Sequence, residues 1–289
     1  MLALLALLLG QPATGDLTLP PVVAGEPAAG RRVAVTTPEY VGTGVHHTLW
    51  LPADWTPEWR SLGRRWPVVV EYAGNQAPQL GCTGRVEDAA LGYGLTAGRC
   101  LWLVLPYVSA DHQSNQPTWW GDEAATVAYA KTEVPHVCEQ YGGDPAAVVL
   151  CGFSRGAIGV NYLGLRDDDV ARLWCGFVTH DHYDGIREWG GTAWGSPLAA
   201  YRAGAAERLK RLAGRPVLVC QNGGTADIRA WVGSQVPLDG FTFLDVRVPD
   251  ILGAFPNDLA IHPHTDRWLL RPSAWRDQAW AWWHKTVGR

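Results

Sequence analysis

Residues 148–157 read Val-Val-Leu-Cys-Gly-Phe-Ser-Arg-Gly-Ala, and the serine at position 154 decides the fold. Val148, Val149 and Leu150 form an apolar, β-branched run, the composition of a buried strand. The segment after the serine, "AIGVNYLGL", has helical spacing. Ser154 therefore stands in a strand-to-helix turn, between Gly152 and Gly156. Gly-x-Ser-x-Gly is common by chance and is good turn chemistry on its own. Between a strand and a helix it becomes an elbow: the glycines let the two elements approach, and the serine oxygen stands above the sheet edge. The N-terminus of the following helix favours negative charge beside it.

A serine hydroxyl is a poor nucleophile at its free pKa and needs a base, itself oriented by an acid. On such a scaffold the chain order is serine, acid, histidine. The segment "VLVCQNGGTADI" (217–228) reads as a strand and a glycine turn that deliver Asp227 as the expected acid. An earlier strand end, "THDHYDG" (179–185), makes Asp181 the alternative. Asp245, within a strand, and Asp250, at a turn, suit the role less well. The loop before the last helix carries His262 and His264. His264 is the expected base, because "HTDRWLLRPSAW" sets it in polar surroundings ahead of a packing segment. His262, between Ile261 and Pro263, is the alternative.

Acyl transfer also needs donors for the developing oxyanion. The backbone N–H of Arg155 is one. The second is expected from the loop after "VVVEYAGNQ", at Asn75 or a neighbour, where Gly74 permits close approach.

Outward from the elbow, strands alternate with helices. "RRVAVTT" and "GVHHTLWLP" read as antiparallel strands near a sheet edge. "WPVVVEYAG" (66–74) and "CLWLVLPY" (100–107) are continuous apolar runs, as in strands buried on both faces. Asp122–Tyr141 reads as a helix capped by Asp122 and stopped by Gly142-Gly143, with Pro135 as a point of kinking. "LWCGFVTH", "RPVLVCQNGG" and "FTFLDVRV" are further strands. Residues 197–212 read as one helix, and a last helix runs from a Ser273 cap to Thr286. This alternation predicts an α/β fold, a doubly wound, mostly parallel sheet, with function at the carboxyl ends of its strands. Residues 179–196 fall between a strand and the next helix and are expected to form a small cap.

The chain has 289 residues, of which 47% are hydrophobic, enough for one α/β domain spanning 31–289. The net charge of −4 shows no basic stripe, which argues against nucleic acid as a partner. The apolar run Leu2–Leu9 resembles the core of a secretory signal (residues 1–15) and is too short to span a bilayer. Export to a secreted or periplasmic location is the expectation, with 16–30 as an extended linker and no stable membrane insertion. Of six cysteines, Cys82 and Cys100 flank a glycine-rich loop and are the pair suited to a disulfide; Cys151, Cys175 and Cys220 sit in strand-like runs as buried thiols. No spacing suggests a zinc site.

The elbow with its flanks, "YGGDPAAVVLCGFSRGA", the Gly74-Asn75 loop, and Asp227 and His264 in order resemble the α/β-hydrolase superfamily over residues 66–286. "GGDP" and "GFSRG" are similar to secreted esterases of the polyhydroxybutyrate-depolymerase and feruloyl-esterase kind. The arginine after the serine is similar to glucuronoyl esterases. Ala73-Gly74 departs from the common His-Gly oxyanion motif, as does Arg155-Gly156-Ala157 from a second glycine. The resemblance implies a serine esterase with no metal and no organic cofactor, acting on a small-molecule or polysaccharide ester. Trp119, Trp120 and Trp189 are candidates for an aromatic wall suited to a sugar or polyphenol, with His180 and His182 as pocket-wall residues. A peptidase, an acyltransferase or a non-catalytic carbohydrate-binding protein on the same scaffold are the alternatives. Composition leaves the oligomeric state open.

Overall fold

The structure is a computed structural model that describes residues 15–77, 82–183, 198–253 and 263–288. Among these the sheet has nine strands: β1 (Val22–Val23), β2 (Arg31–Val35), β3 (His47–Leu51), β4 (Trp66–Tyr72), β5 (Leu101–Leu105), β6 (Gly143–Phe153), β7 (Gly176–His180), β8 (Val217–Asn222) and β9 (Phe241–Val246). Their spatial order is β1-β2-β3-β5-β4-β6-β7-β8-β9. From β5 to β9 every neighbouring pair is parallel, while β2 and β3 join antiparallel at one side.

Alternation along each strand divides the core into two layers. Val68, Val70 and Tyr72 of β4, with Leu101, Leu103 and Leu105 of β5, face one layer. Val69, Trp102, Val104, Val149 and Cys151 face the other. Helices α2 (Glu123–Tyr141), α3 (Arg155–Tyr162), α6 (Ala205–Lys210) and α7 (Ala226–Gln235) cover the first layer. Helices α1 (Leu91–Thr96), α8 (Val248–Leu252) and α9 (Ala274–Thr286) cover the second. Both faces are dry, which is why β4, β5 and β7 are buried along their whole length.

The end signals of the long helices act locally. Asp122 accepts the N–H of Ala125 at 2.9 Å, and Gly142 closes α2 with φ 79°. Pro135 lies inside α2 without ending it. Its cost of about 3 kcal/mol is offset by buried Val127, Val134 and Val137, each contributing roughly 1.5–3 kcal/mol. Ser273 caps α9 by accepting the N–H of Arg276.

Three expectations change. The helix read over 197–212 is two helices, α5 (Leu198–Ala203) and α6, because Gly204 leaves helical geometry (φ −109°, ψ 3°) between them. Residues 16–30 are extended but are no free linker: β1 pairs with β2, and the Leu17 N–H donates to the Leu270 carbonyl at 2.8 Å. No disulfide joins Cys82 to Cys100 among the described residues; both sulfurs lie against the apolar layer beneath α1. Among the described residues no helix is long and apolar enough to cross a membrane. Residues 1–14 of the expected signal segment, His262, and 184–196 of the expected cap, Trp189 included, lie outside the described residues.

Strand order reverses beside β4: the chain steps from β4 to β5 on one side, then returns to β6 on the other. The crevice at the carboxyl ends of β4 and β6 is where such sheets hold their ligands. Ser154 and the Gly74-Asn75 loop both open into that place.

Candidate active site

Ser154 follows β6 directly and has φ 56° and ψ −116°, a backbone state that non-glycine residues rarely adopt. The surrounding glycines explain how it is held. A Cβ on Gly152 would lie 2.2 Å from the Gly156 carbonyl oxygen, and one on Gly156 would lie 1.9 Å from the Tyr72 carbonyl oxygen. The elbow is thus wedged between α3 and the end of β4. The Ser154 N–H donates to the His180 carbonyl at 2.9 Å, fixing the turn from the other side.

His264 arrives from the loop before α9. Its Nε2 is 2.9 Å from Ser154 Oγ, and its Nδ1 is 2.7 Å from Asp181 Oδ2. Beside a carboxylate, Nδ1 carries the ring proton, which leaves the Nε2 lone pair for the serine hydroxyl. The ring lies between Phe153 (centroids 4.6 Å) and His182 (4.7 Å). The three groups can move a proton from the hydroxyl to the imidazole and stabilise the resulting cation.

The carboxylate is therefore Asp181 and not Asp227. Asp227 sits exposed in the first turn of α7, because the chain after Gly223-Gly224 turns straight into a helix with Ile228 and Val232 as its buried face. That spacing of four was the missed signal. Asp181 instead follows β7 with φ 58°, and its Oδ1 accepts the N–H of Asn222 at the end of β8, at 2.7 Å. Burial works against its charge, but the imidazoles of His180, His264 and His182 outweigh this. They hold its carboxyl far below the usual carboxylate range. It stays ionised wherever an imidazole titrates. Of the lesser candidates, Asp245 accepts from Thr225, and Asp250 pairs with Arg247.

The expected pocket-wall residues are placed differently. His180 is fully buried between Phe153 and Trp268, so it cannot face a substrate. The strand ends there, and Asp181 and His182 both have positive φ, so the alternation expected to aim His180 and His182 together stops. His182 is partly exposed and lies tilted against the His264 ring, with centroids 4.7 Å apart. Trp119 and Trp120 are 8% and 3% exposed; Trp119 packs on Trp120, which packs with Tyr107 and Tyr162. They are core and no open aromatic wall. The Arg155 guanidinium is likewise buried on loop carbonyls and is not presented to a substrate carboxylate. Among the described residues no group of three or more His, Cys, Asp or Glu is arranged to hold a metal.

The His264 loop is pinned two residues later. Buried Asp266 accepts the N–H of Ala90 at 2.9 Å, at the start of α1. Buried Glu71 of β4 accepts from the next two, Leu91 (3.1 Å) and Gly92 (2.8 Å), and from Trp102 Nε1 (2.8 Å). Burial pushes the Glu71 carboxyl up to about 8; the nearby Asp266 adds to this, and the N–H donors oppose it less strongly. A carboxyl with a higher pKa folded than unfolded contributes stability below its ordinary value of 4.5, and that contribution is lost as pH rises through about 8. The melting midpoint is thus expected to fall as pH rises from about 5 to 8 in thermal scans and to level off above that. Asp266→Asn keeps an oxygen for Ala90 and should flatten that fall. Equal slopes in the two proteins would rule the carboxyl pair out as the cause.

No protein-family model matches the chain, and no curated protein sequence does. Solved structures do. The chain is similar to the isopeptidase AtxE2 with Astexin3-dC4 bound, at 14% identity and TM-score 0.52, over 89% of this chain and 40% of that one. It therefore spans well under half the length of that enzyme. It is also similar to a fungal esterase from Rhizomucor miehei, at 14% identity and TM-score 0.50, over 89% of this chain and 82% of the other. A feruloyl esterase module from Clostridium thermocellum, complexed with sinapinate, matches at 14% identity and TM-score 0.48, over 89% and 93% of the two chains. The first two likenesses, with TM-scores of 0.52 and 0.50, speak at such identity to architecture alone: the chain has the α/β-hydrolase fold.

Proposed function

We propose that the chain is a serine hydrolase that cleaves carboxylic esters through an acyl-enzyme. One observation carries this reading: Ser154 Oγ, His264 and Asp181 stand in a single hydrogen-bonded line, 2.9 Å and 2.7 Å apart. Ser154 Oγ attacks the ester carbonyl while its proton passes to His264 Nε2. The tetrahedral oxyanion is held by the Arg155 N–H at the start of α3 and by donors from the Gly74-Asn75 loop. Collapse breaks the bond to the alkoxy group, which leaves with the proton from Nε2. Water then repeats the cycle, giving its proton to Nε2 and its oxygen to the acyl carbon. Asp181 keeps the ring in the productive tautomer and stabilises the imidazolium.

The finer parts of the proposal rest on sequence. Resemblance of the elbow to secreted esterases favours an ester carried on a carbohydrate or polyphenol. The apolar run Leu2–Leu9 favours export. The buried Trp119 and Trp120 add nothing to the substrate class.

The test is a fluorophosphonate probe together with fluorogenic short-chain esters. The expected result is one label per chain, mapped by mass spectrometry to the peptide holding Ser154, and saturable ester turnover. Turnover of a peptide or isopeptide amide with none on esters would move the reading to a peptidase. No label and no turnover between pH 6 and 9, with sugar binding retained, would leave a non-catalytic binding protein.

A further inference from the structure

The loop after β4 holds a side-chain donor that no described residue accepts from. Asn75 is 5% exposed, and its Oδ1 accepts the N–H of Trp119 at 2.7 Å. A backbone N–H only donates, so this bond fixes which end of the carboxamide is oxygen. Among the described residues the buried Nδ2 at the other end makes no hydrogen bond. A buried amide donor left without an acceptor costs its full desolvation, so such a group calls for an explanation. The loop is in the right place to supply one. At the preceding residue, Gly74, a Cβ would lie 2.9 Å from the Phe153 ring and 3.6 Å from the Phe153 carbonyl oxygen, one residue before the nucleophile.

The same loop is held by the residue after the nucleophile. Arg155 Nη1 donates to the carbonyls of Trp119 (2.7 Å) and Gln116 (3.1 Å). Its Nη2 donates to those of Gly74 (2.8 Å) and Gly84 (3.3 Å). The guanidinium lies over the Tyr107 ring at 3.8 Å. Trp119 has φ 53°, a state a tryptophan keeps only when its surroundings impose it. Arg155 on its carbonyl and Asn75 on its N–H are the surroundings that do so.

We infer that the Asn75 side-chain amide is itself an oxyanion donor, and that the Arg155 guanidinium is the positioning residue that sets it through Trp119. The inference rests on the serine-hydrolase reading above. The Nδ2 that has no acceptor among the described residues gains one when the substrate carbonyl becomes an oxyanion. Its hydrogen bond is then made where charge develops, which is the condition for lowering a barrier rather than tightening substrate binding.

Asn75→Asp tests the donor, because an aspartate keeps the oxygen for Trp119 N–H and removes the NH₂. With a short-chain ester at pH 8, kcat is expected to fall about 100-fold or more, with KM within about threefold and a melting midpoint near wild type. As pH falls from 8 to 5 the ratio of variant to wild-type kcat should rise, because a protonated carboxyl donates again. Arg155→Met, which keeps the backbone N–H and removes the fork, should lower kcat about tenfold at similar KM, with Arg155→Lys restoring part. If Arg155→Met does not fold, Asn75→Asp alone decides. An Asn75→Asp kcat within threefold of wild type, or a ratio flat with pH, overturns the inference while labelled, active wild type leaves the hydrolase reading standing. A wild-type chain that neither turns over nor takes the label removes both.

Discussion

Asp181→Asn is expected to lower kcat on a short-chain ester by about four orders of magnitude, against a loss of roughly 10⁶-fold expected of Ser154→Ala. Asparagine keeps the shape but can present N–H to His264 Nδ1. The ring then turns its proton toward Ser154, and the lone pair that should take the hydroxyl proton is gone. The effect belongs to kcat, since Asp181 is 2% exposed and does not face the pocket. Asp227→Asn is the control: exposed at the start of α7, it should stay within twofold of wild type. Steady-state kinetics of the three variants settle the acid. The assignment would not survive an Asp181→Asn enzyme at wild-type rate.

Gly156→Ala is expected to remove on the order of 4 kcal/mol or more of stability, a fall in melting midpoint of roughly 10 °C for a chain of this size. The new methyl would sit 1.9 Å from the Tyr72 carbonyl oxygen and 3.1 Å from that of Ala73, and backbone at the end of β4 cannot move aside as a side chain can. The same backbone leads into the Gly74-Asn75 loop, so any fold that survives should also disturb the proposed oxyanion donor there. Urea and thermal unfolding read the first effect. A variant within 1 kcal/mol of wild type would show that the elbow is not wedged as the glycine contacts require.

Much of this was legible beforehand where the physics is local. The β-branched runs over 66–72 and 101–105, the Asp122 and Ser273 caps and the stop at Gly142 depend on neighbours a few residues away, and each lies where its chemistry puts it. Gly204 does not break the helical run in the sequence, because a glycine inside a helix is only weakly penalised; the break appears between α5 and α6 in the fold. The burial of Trp119, Trp120 and the Arg155 guanidinium was not legible, since loop residues carry no periodicity to say which way they face.

The amino-acid order alone determined the alternation of strand and helix, the serine at the turn between β6 and α3, and a histidine shortly before the last helix. Only the assembled sheet decided which carboxylate answers that histidine. β7 and β8 lie side by side, one strand spacing of about 5 Å apart, so an acid at the end of either is near enough to serve. The choice falls to the turn that follows each strand: a left-handed residue at 181 swings its carboxylate beneath the imidazole, while a helix starting at 226 carries residue 227 out to solvent.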